Sequence, residues 1–295
     1  MKGQVESTVR NFLERLGYTQ PAVSTEMGRR LKDALLDDYA YFKDHPRPAE
    51  WFDKTCTLCI ALSQASIPQA SDIFAVYFDD MTHVMPESLK AFQKKFMMND
   101  MDLDVMVTFR RILSDAYRLW DDIPANLIVN ATMEFVTGCA MEGDVGIGSM
   151  KVQDTAKSWP DFLRAKTGIS PAYSFMVFPL RSSLPSYIQV IGDTCRFIEL
   201  TNDVLSFYKE YLAGETQNYI SNRALTTERS PLQAFQDVAE QVLSTNDRIC
   251  ATLKEPELTS WNTFVNGYLA FHVTQERYLL DKVLLPGQCG IVELP

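Results

Sequence analysis

Apolar residues recur at helical spacing along almost the whole chain. In residues 5–16, Val9, Phe12, Leu13 and Leu16 share one face, and Gly17 stands where it can end the helix. Residues 24–41 read as a longer helix capped by Ser24, and Pro46 and Pro48 punctuate before a helix over about 48–65. After Pro68 the helical pattern resumes over 71–82, 87–97 and 103–120. Pro124 falls in the first turn of a helix running to about Gly143. Ser158-Trp159-Pro160-Asp161 opens a short helix that contains Arg164 and ends at Gly168. Residues 185 to about 212 read as one long helix, followed by helices over 231–254 and 257–283. The stretch 143–148 reads as a mobile loop between helices, and 220–223 and the tail after Leu285 as loops too. Alternating strand patterns are scarce, and neither βαβ spacing, nor an internal repeat, nor a linker is found. The pattern predicts one all-α domain over residues 1–295, a helical bundle around a single core.

Composition narrows the function classes. The chain is 46% hydrophobic and 22% charged, as a helix-rich globular protein is. A net charge of −10 leaves no basic surplus to neutralise phosphates, which argues against a nucleic-acid partner. Local cations and metal ions can still hold a small anion. The six cysteines are scattered; Cys56-Thr57-Leu58-Cys59 has no second pair to complete a zinc site, so reduced, structural thiols are expected. No apolar run of membrane-spanning length exists and the N-terminus is polar, so a cytoplasmic protein without a membrane span is expected.

The polar positions that interrupt the apolar pattern carry the candidate chemistry. Asn202, Ser206 and Glu210 recur every four residues, which stacks an amide oxygen, a hydroxyl and a carboxylate on one helix face. These are ligands that a hard cation such as Mg²⁺ accepts. An exposed polar face has the same spacing, so the triplet needs company. Among the acidic pairs, Asp79-Asp80 is distinctive because it ends the apolar run from Ile73 to Phe78. Carboxylates are disfavoured at a helix C-terminus, so two of them there want a cation, unless the helix end reaches solvent. Asp121-Asp122 is followed by Ile123-Pro124 and reads as a turn. The glycine-rich stretch from Gly143 to Gly148 lacks both the Lys-Ser/Thr of a P-loop and GxGxxG spacing.

In order and spacing, Asp79-Asp80 and Asn202-Asp203-Val204-Leu205-Ser206-Phe207-Tyr208-Lys209-Glu210 resemble the two metal motifs of the class I terpenoid cyclases, most of all the fungal trichodiene synthase family. Two further segments are similar. Phe162-Leu163-Arg164 with Gly168 resembles the segment bearing the diphosphate-sensing arginine, and Arg277-Tyr278 resembles the Arg-Tyr pair that hydrogen-bonds diphosphate. Two departures stand out. His83 occupies the usual last acidic position of the first motif, and Gln275, Glu276 and Leu279 make the surroundings of the Arg-Tyr pair less basic than is usual.

The resemblance implies a helical bundle around a central active-site cavity, ionisation of an allylic isoprenoid diphosphate, and cyclisation of the resulting carbocation. It implies three Mg²⁺ ions, with Asp79 and Asp80 on one side and Asn202, Ser206 and Glu210 on the other. Arg164, Lys209, Arg277 and Tyr278 are then the diphosphate donors, and Asp79, Arg164, Arg277 and Tyr278 the catalytic set. Tyr77, Phe78, Phe175, Trp261 and Phe271 are candidates for the pocket lining, with plain core packing the alternative for each. Farnesyl diphosphate is the expected substrate, and a homodimer fits the resemblance. A chain-elongating prenyl diphosphate synthase shares the chemistry but carries two Asp-rich motifs, whereas the second here is Asn/Ser/Glu. A catalytically inactive scaffold of cyclase ancestry is the other alternative.

Overall fold

The computed structural model describes residues 2–20, 33, 55, 77–101 and 103–284. Apart from residues 33 and 55, the helices predicted over 24–41 and 48–65, the first half of the one over 71–82, Cys56, Cys59, Cys289 and the tail after Leu285 lie outside the described residues. Every regular element among the described residues is helical, as the spacing of apolar positions predicts. The helices are α1 (Lys2–Arg15), α2 (Pro86–Met98), α3 (Asp104–Leu119), α4 (Asp122–Glu142), α5 (Val145–Gly148), α6 (Trp159–Thr167), α7 (Ser170–Met176), α8 (Leu184–Tyr187), α9 (Ile191–Ala213), α10 (Tyr219–Thr227), α11 (Pro231–Thr252) and α12 (Glu257–Thr274). None of the described helices is long and apolar enough to cross a membrane.

Four segments differ from the sequence expectation, each for a local reason. Residues 143–148 are not a mobile loop but contain the single turn α5, capped by Asp144, whose carboxylate accepts from the N–H groups of Gly146 and Ile147 and pairs with Lys90 at 3.1 Å. The long helix expected over 185–212 is interrupted by a 3₁₀ turn at Ile188–Val190, so α9 begins only at Ile191. Residues 220–223 lie inside α10, which Asn218 caps through the Ser221 N–H and which buries Tyr219, Ile220 and Ala224. The last long helix stops at Thr274: Gln275 turns extended, and Arg277 and Tyr278 fall on a separate 3₁₀ turn, Glu276–Tyr278. That bend folds Tyr278 back against His272 of α12, with ring centroids 4.6 Å apart.

Apolar side chains gather in two clusters. The larger joins α1, α7, α9, α11 and α12, with Phe207 stacked on Phe235 at 4.6 Å and Phe197 edge-on to Trp261 at 4.9 Å. The smaller joins residues 77–81 to α2, α3 and the C-terminal half of α4, centred on Phe78, Phe92 and Phe109. Each fully buried aromatic of this kind contributes about 1.5–3 kcal/mol.

Helix α4 serves both clusters: Ala125, Ile128 and Ala131 face the first, and Phe135, Val136 and Cys139 the second. Two glycines let other backbone approach it closely. A Cβ on Gly138 would sit 2.1 Å from the Lys166 carbonyl oxygen at the end of α6, and one on Gly143 would sit 2.5 Å from that of Thr82. The segment carrying Arg164 and the turn that follows Asp79-Asp80 are thus both registered on the same helix.

Candidate active site

Helix α9 delivers the Asn/Ser/Glu triplet from a largely buried rod. Thr201, Asp203, Val204, Leu205, Ser206 and Phe207 are all buried around it. Ser206 is 1% exposed and its buried hydroxyl has no hydrogen-bond partner of proper geometry, although it lies close enough to the Glu210 carboxylate to favour its charged form. Burial nonetheless raises the Glu210 pKa, with Ser206 and Lys209 pulling it back down. Asn202 is held on every side. Its Nδ2 donates toward His272 Nε2 at 3.2 Å and Tyr278 Oη at 3.5 Å, while its Oδ1 accepts from Arg164 Nη2 at 3.3 Å.

Arg164, from α6, is enclosed rather than exposed. It pairs with Asp203 at 3.0 Å and also donates to the Glu199 carbonyl oxygen at 3.1 Å. Burial works against the guanidinium's charge, but Asp203 and Glu199 outweigh it and raise its pKa. Burial also pushes Asp203 up to about 6, with Arg164 opposing. The N-terminus of α6 is fastened separately: the Asp161 carboxylate accepts from Arg196 of α9 and from the Tyr219 hydroxyl of α10, both at 2.8 Å.

Opposite these stand Asp79 and Asp80, exposed at the end of the helical segment 77–80. Asp79 is open to water yet crowded by protein, the condition of a residue on a concave surface. Loss of surrounding solvent raises its pKa, Asp80 raises it further, and Arg277, Lys209 and Arg164 draw it down. That list of cations brings the four predicted segments together: the Asp pair, the α6 arginine, the α9 lysine and the Arg-Tyr turn share one region. Tyr278 lies at its centre, with Lys209 Nζ 5.8 Å and the Arg277 guanidinium 5.7 Å from its ring centroid. Burial pushes the Tyr278 hydroxyl up to about 12, so it stays a neutral donor.

Sequence reasoning missed two members of this region. Glu142, at the end of α4, is pushed up to about 7 by loss of solvent and then by Asp79, with Arg164 opposing. His272 is fully buried, and its pKa is lowered to about 3 by burial, with Arg277 and Lys209 adding to the effect. Asp203 stood within the quoted motif without a role. A lone acid after an apolar helix, or a lone histidine among aromatic residues, carries no spacing that announces it.

The pocket-lining candidates are all buried. Tyr77 and Phe78 belong to the smaller cluster, and Trp261 sits in the larger one with its Nε1 donating to Asn246 at 2.9 Å. Phe175 lies edge-on to Tyr187, and Phe271 packs against His272 and Tyr278 beside the polar region. His83 is exposed. A separate groove of about 470 Å³ beside α1, lined by Thr19, Asn246, Asn262, Thr263 and Asn266 among others, contains no titratable group.

No three His, Cys, Asp or Glu side chains among the described residues are close enough to hold a metal by themselves. The triplet on α9 is a different kind of donor set, one carboxylate with two neutral oxygens, and suits an ion that completes its shell with phosphate oxygens and water. The buried, unpartnered Ser206 hydroxyl beside Glu210 fits such a cation. Residues 54–285 match the profile of the trichodiene synthase (TRI5) family. The chain belongs to the trichodiene synthase family. Terpene synthase BipA of Cochliobolus sativus is 31% identical over 266 residues, covering 84% of this chain and 81% of that one. Longiborneol synthase CLM1 of Gibberella zeae is 32% identical over 67% of this chain and 60% of its own length. An (E)-beta farnesene synthase of Metarhizium brunneum is 27% identical over 71% of this chain and 66% of its own. Family and relatives make this chain a terpene synthase, with the all-α fold of that family.

Proposed function

We propose that this terpene synthase is a sesquiterpene cyclase, which ionises farnesyl diphosphate and cyclises the carbocation with release of diphosphate. The observation that carries the reading is the convergence of Asp79 with Arg164, Lys209 and Arg277 beside the Asn202, Ser206 and Glu210 triplet. Asp79 and Asp80 on one side, and Asn202, Ser206 and Glu210 on the other, would hold three Mg²⁺ together with the substrate. When bound, the ions supply Lewis-acid neutralisation of the leaving diphosphate.

The protein's own donors do the rest. Arg277 is exposed and can offer its planar fork to the terminal phosphate oxygens, while Lys209, also beside the Tyr278 ring, acts as a point charge. The Tyr278 hydroxyl adds a neutral donor. Such contacts strengthen as negative charge gathers on the departing group, so they lower the barrier rather than only tighten binding. Arg164 touches Asn202 and Asp203 at once, so a diphosphate drawing on its guanidinium would also be felt on α9. Phe271, packed edge-on to Tyr278, is an aromatic beside the diphosphate donors that could meet the nascent cation. The diphosphate itself can take up the final proton.

Incubating the purified protein with geranyl, farnesyl and geranylgeranyl diphosphate and Mg²⁺, then analysing the volatiles, tests the reading. Cyclic sesquiterpene from the farnesyl substrate is the expected result. Linear longer-chain diphosphates on adding isopentenyl diphosphate would point to an elongating enzyme. No hydrocarbon or terpene alcohol from any of the three would point to an inactive scaffold.

A further inference from the structure

The amide of Asn202 is useful to a metal only if its oxygen, not its nitrogen, faces the ion. Nothing in an asparagine's shape settles that, because the two ends are nearly isosteric. Here the surroundings settle it. His272 Nδ1 lies 2.8 Å from the carbonyl oxygen of Tyr268, one turn earlier on α12. A carbonyl oxygen only accepts, so Nδ1 carries the proton and Nε2 is left with its lone pair. That lone pair meets Asn202 Nδ2 at 3.2 Å, from a helix 70 residues away in the chain. The second amide hydrogen points toward the Tyr278 hydroxyl at 3.5 Å, and the oxygen faces the donors of Arg164 at 3.3 Å. A flipped amide would set oxygen against the Nε2 lone pair and N–H against a guanidinium that has no acceptor, so both sides reject it.

The imidazole has no freedom to accommodate another arrangement. It is fully buried, with Tyr268 and Phe271 edge-on at centroid distances of 4.6 and 4.9 Å and Tyr278 tilted against it at 4.6 Å. We propose that His272 is a positioning residue: its Nδ1–H tautomer, dictated by the Tyr268 carbonyl, sets the Asn202 amide so that Oδ1 is the atom presented to a divalent cation. Metal ligands are commonly oriented by such a neighbour, and its loss costs about 10- to 100-fold in affinity or activity. The inference rests on reading Asn202 as a ligand, and the experiment separates the two.

The first readout is the ring itself. The chain has three histidines, so ¹⁵N-histidine labelling gives a sparse spectrum, and His272→Phe identifies the His272 signals. At neutral pH, Nδ1 is expected to be protonated and Nε2 to have the shift of an unprotonated nitrogen; the opposite tautomer, or an imidazolium, overturns the proposal. The second readout is the thermal shift produced by titrating Mg²⁺ in the presence of inorganic diphosphate. His272→Phe should raise the Mg²⁺ midpoint about 10- to 100-fold, and His272→Gln, whose amide oxygen can reach the same donor, should recover part of that. A role confined to packing would lower the metal-free melting temperature and leave the midpoint in place, which would overturn the proposal. Asn202→Ala is the control. If it raises the midpoint and His272→Phe does not, Asn202 is a ligand and His272 does not orient it. If Asn202→Ala leaves the midpoint unchanged, the ligand reading falls and this inference with it. Should His272→Phe fail to fold, the ring tautomer of the wild type and the His272→Gln titration still decide.

Discussion

On α9, the Asn202 amide is oriented by partners at both ends with one Oδ1 lone pair still to offer, Asp203 is paired with Arg164, and the Ser206 hydroxyl and the Glu210 carboxylate have capacity to spare. Across from it, Asp79 stands exposed at a helix end with Asp80 adding like charge and, among the described residues, no ion-pair partner, Arg277, Lys209 and Arg164 acting on it at a distance, while Asp79 in turn raises the pKa of Glu142. One side is built in advance by the protein, and the other is a concentration of negative charge that a cation would relieve. The difference shows where the fold invests. A helix buried on most sides can fix ligand geometry through neighbours on α6 and α12, whereas a helix end on a concave surface can supply charge but not rigidity.

The largest effect should come from removing charge-bearing ligands on either side. Asp79→Ala and Glu210→Ala are each expected to lower turnover of farnesyl diphosphate about 1000-fold or more, the loss of some 4 kcal/mol of transition-state stabilisation. His83→Ala should stay near wild type. A dead His83 variant beside an active Asp79 variant would mean that the charged side has been drawn around the wrong residue.

The prebuilt side predicts a split between two arginines. Arg164→Ala strands Asp203 in a buried site and should cost about 3–5 kcal/mol of unfolding free energy, read by urea titration. Adding Asp203→Asn should restore much of that stability without restoring activity. Arg277 is exposed, so Arg277→Ala should change stability by no more than about 0.5 kcal/mol while lowering kcat/KM about 10- to 100-fold. Equal stability losses in the two variants would erase the distinction between the sides.

Much of this was legible in the chain, because helical periodicity and oxygen-bearing triplets are local features. The all-α class, the limits of α4 and α11 to within a few residues, and the α6 segment ending at Gly168 all follow from side-chain spacing and from proline and glycine positions. The break at Ile188–Val190, the helix over Tyr219–Thr227 and the stop at Thr274 did not, since residues such as Ile220 and Gln275 take their conformation from packing and caps rather than propensity. Glu142 and His272 were hidden for the same reason. What makes them matter is proximity to Asp79 and Asn202, which only the fold creates.

The smallest expected effect is in pH dependence. Glu142 holds its proton up to about pH 7 in the fold, against 4.5 ordinarily, and Asp203 up to about 6, against 3.8. In that window the folded chain binds more protons than the unfolded one, so these two groups make stability fall as pH rises. His272, neutral in the fold down to about pH 3 against 6.5 ordinarily, acts in the opposite sense below 6.5. Glu142→Gln isolates the first contribution. Its stability relative to wild type should grow from about pH 4.5 to 7 and level off above, in urea titrations of the metal-free protein. Parallel profiles would remove Glu142 from the charged side.

The central claim is that the two sides act together on metal and diphosphate, and calorimetric titration of inorganic diphosphate into the protein tests it most directly. The account predicts binding heat only when Mg²⁺ is present, and its loss in Asp79→Ala and Glu210→Ala alike. Diphosphate binding that persists without Mg²⁺, or that survives in both variants, would contradict it.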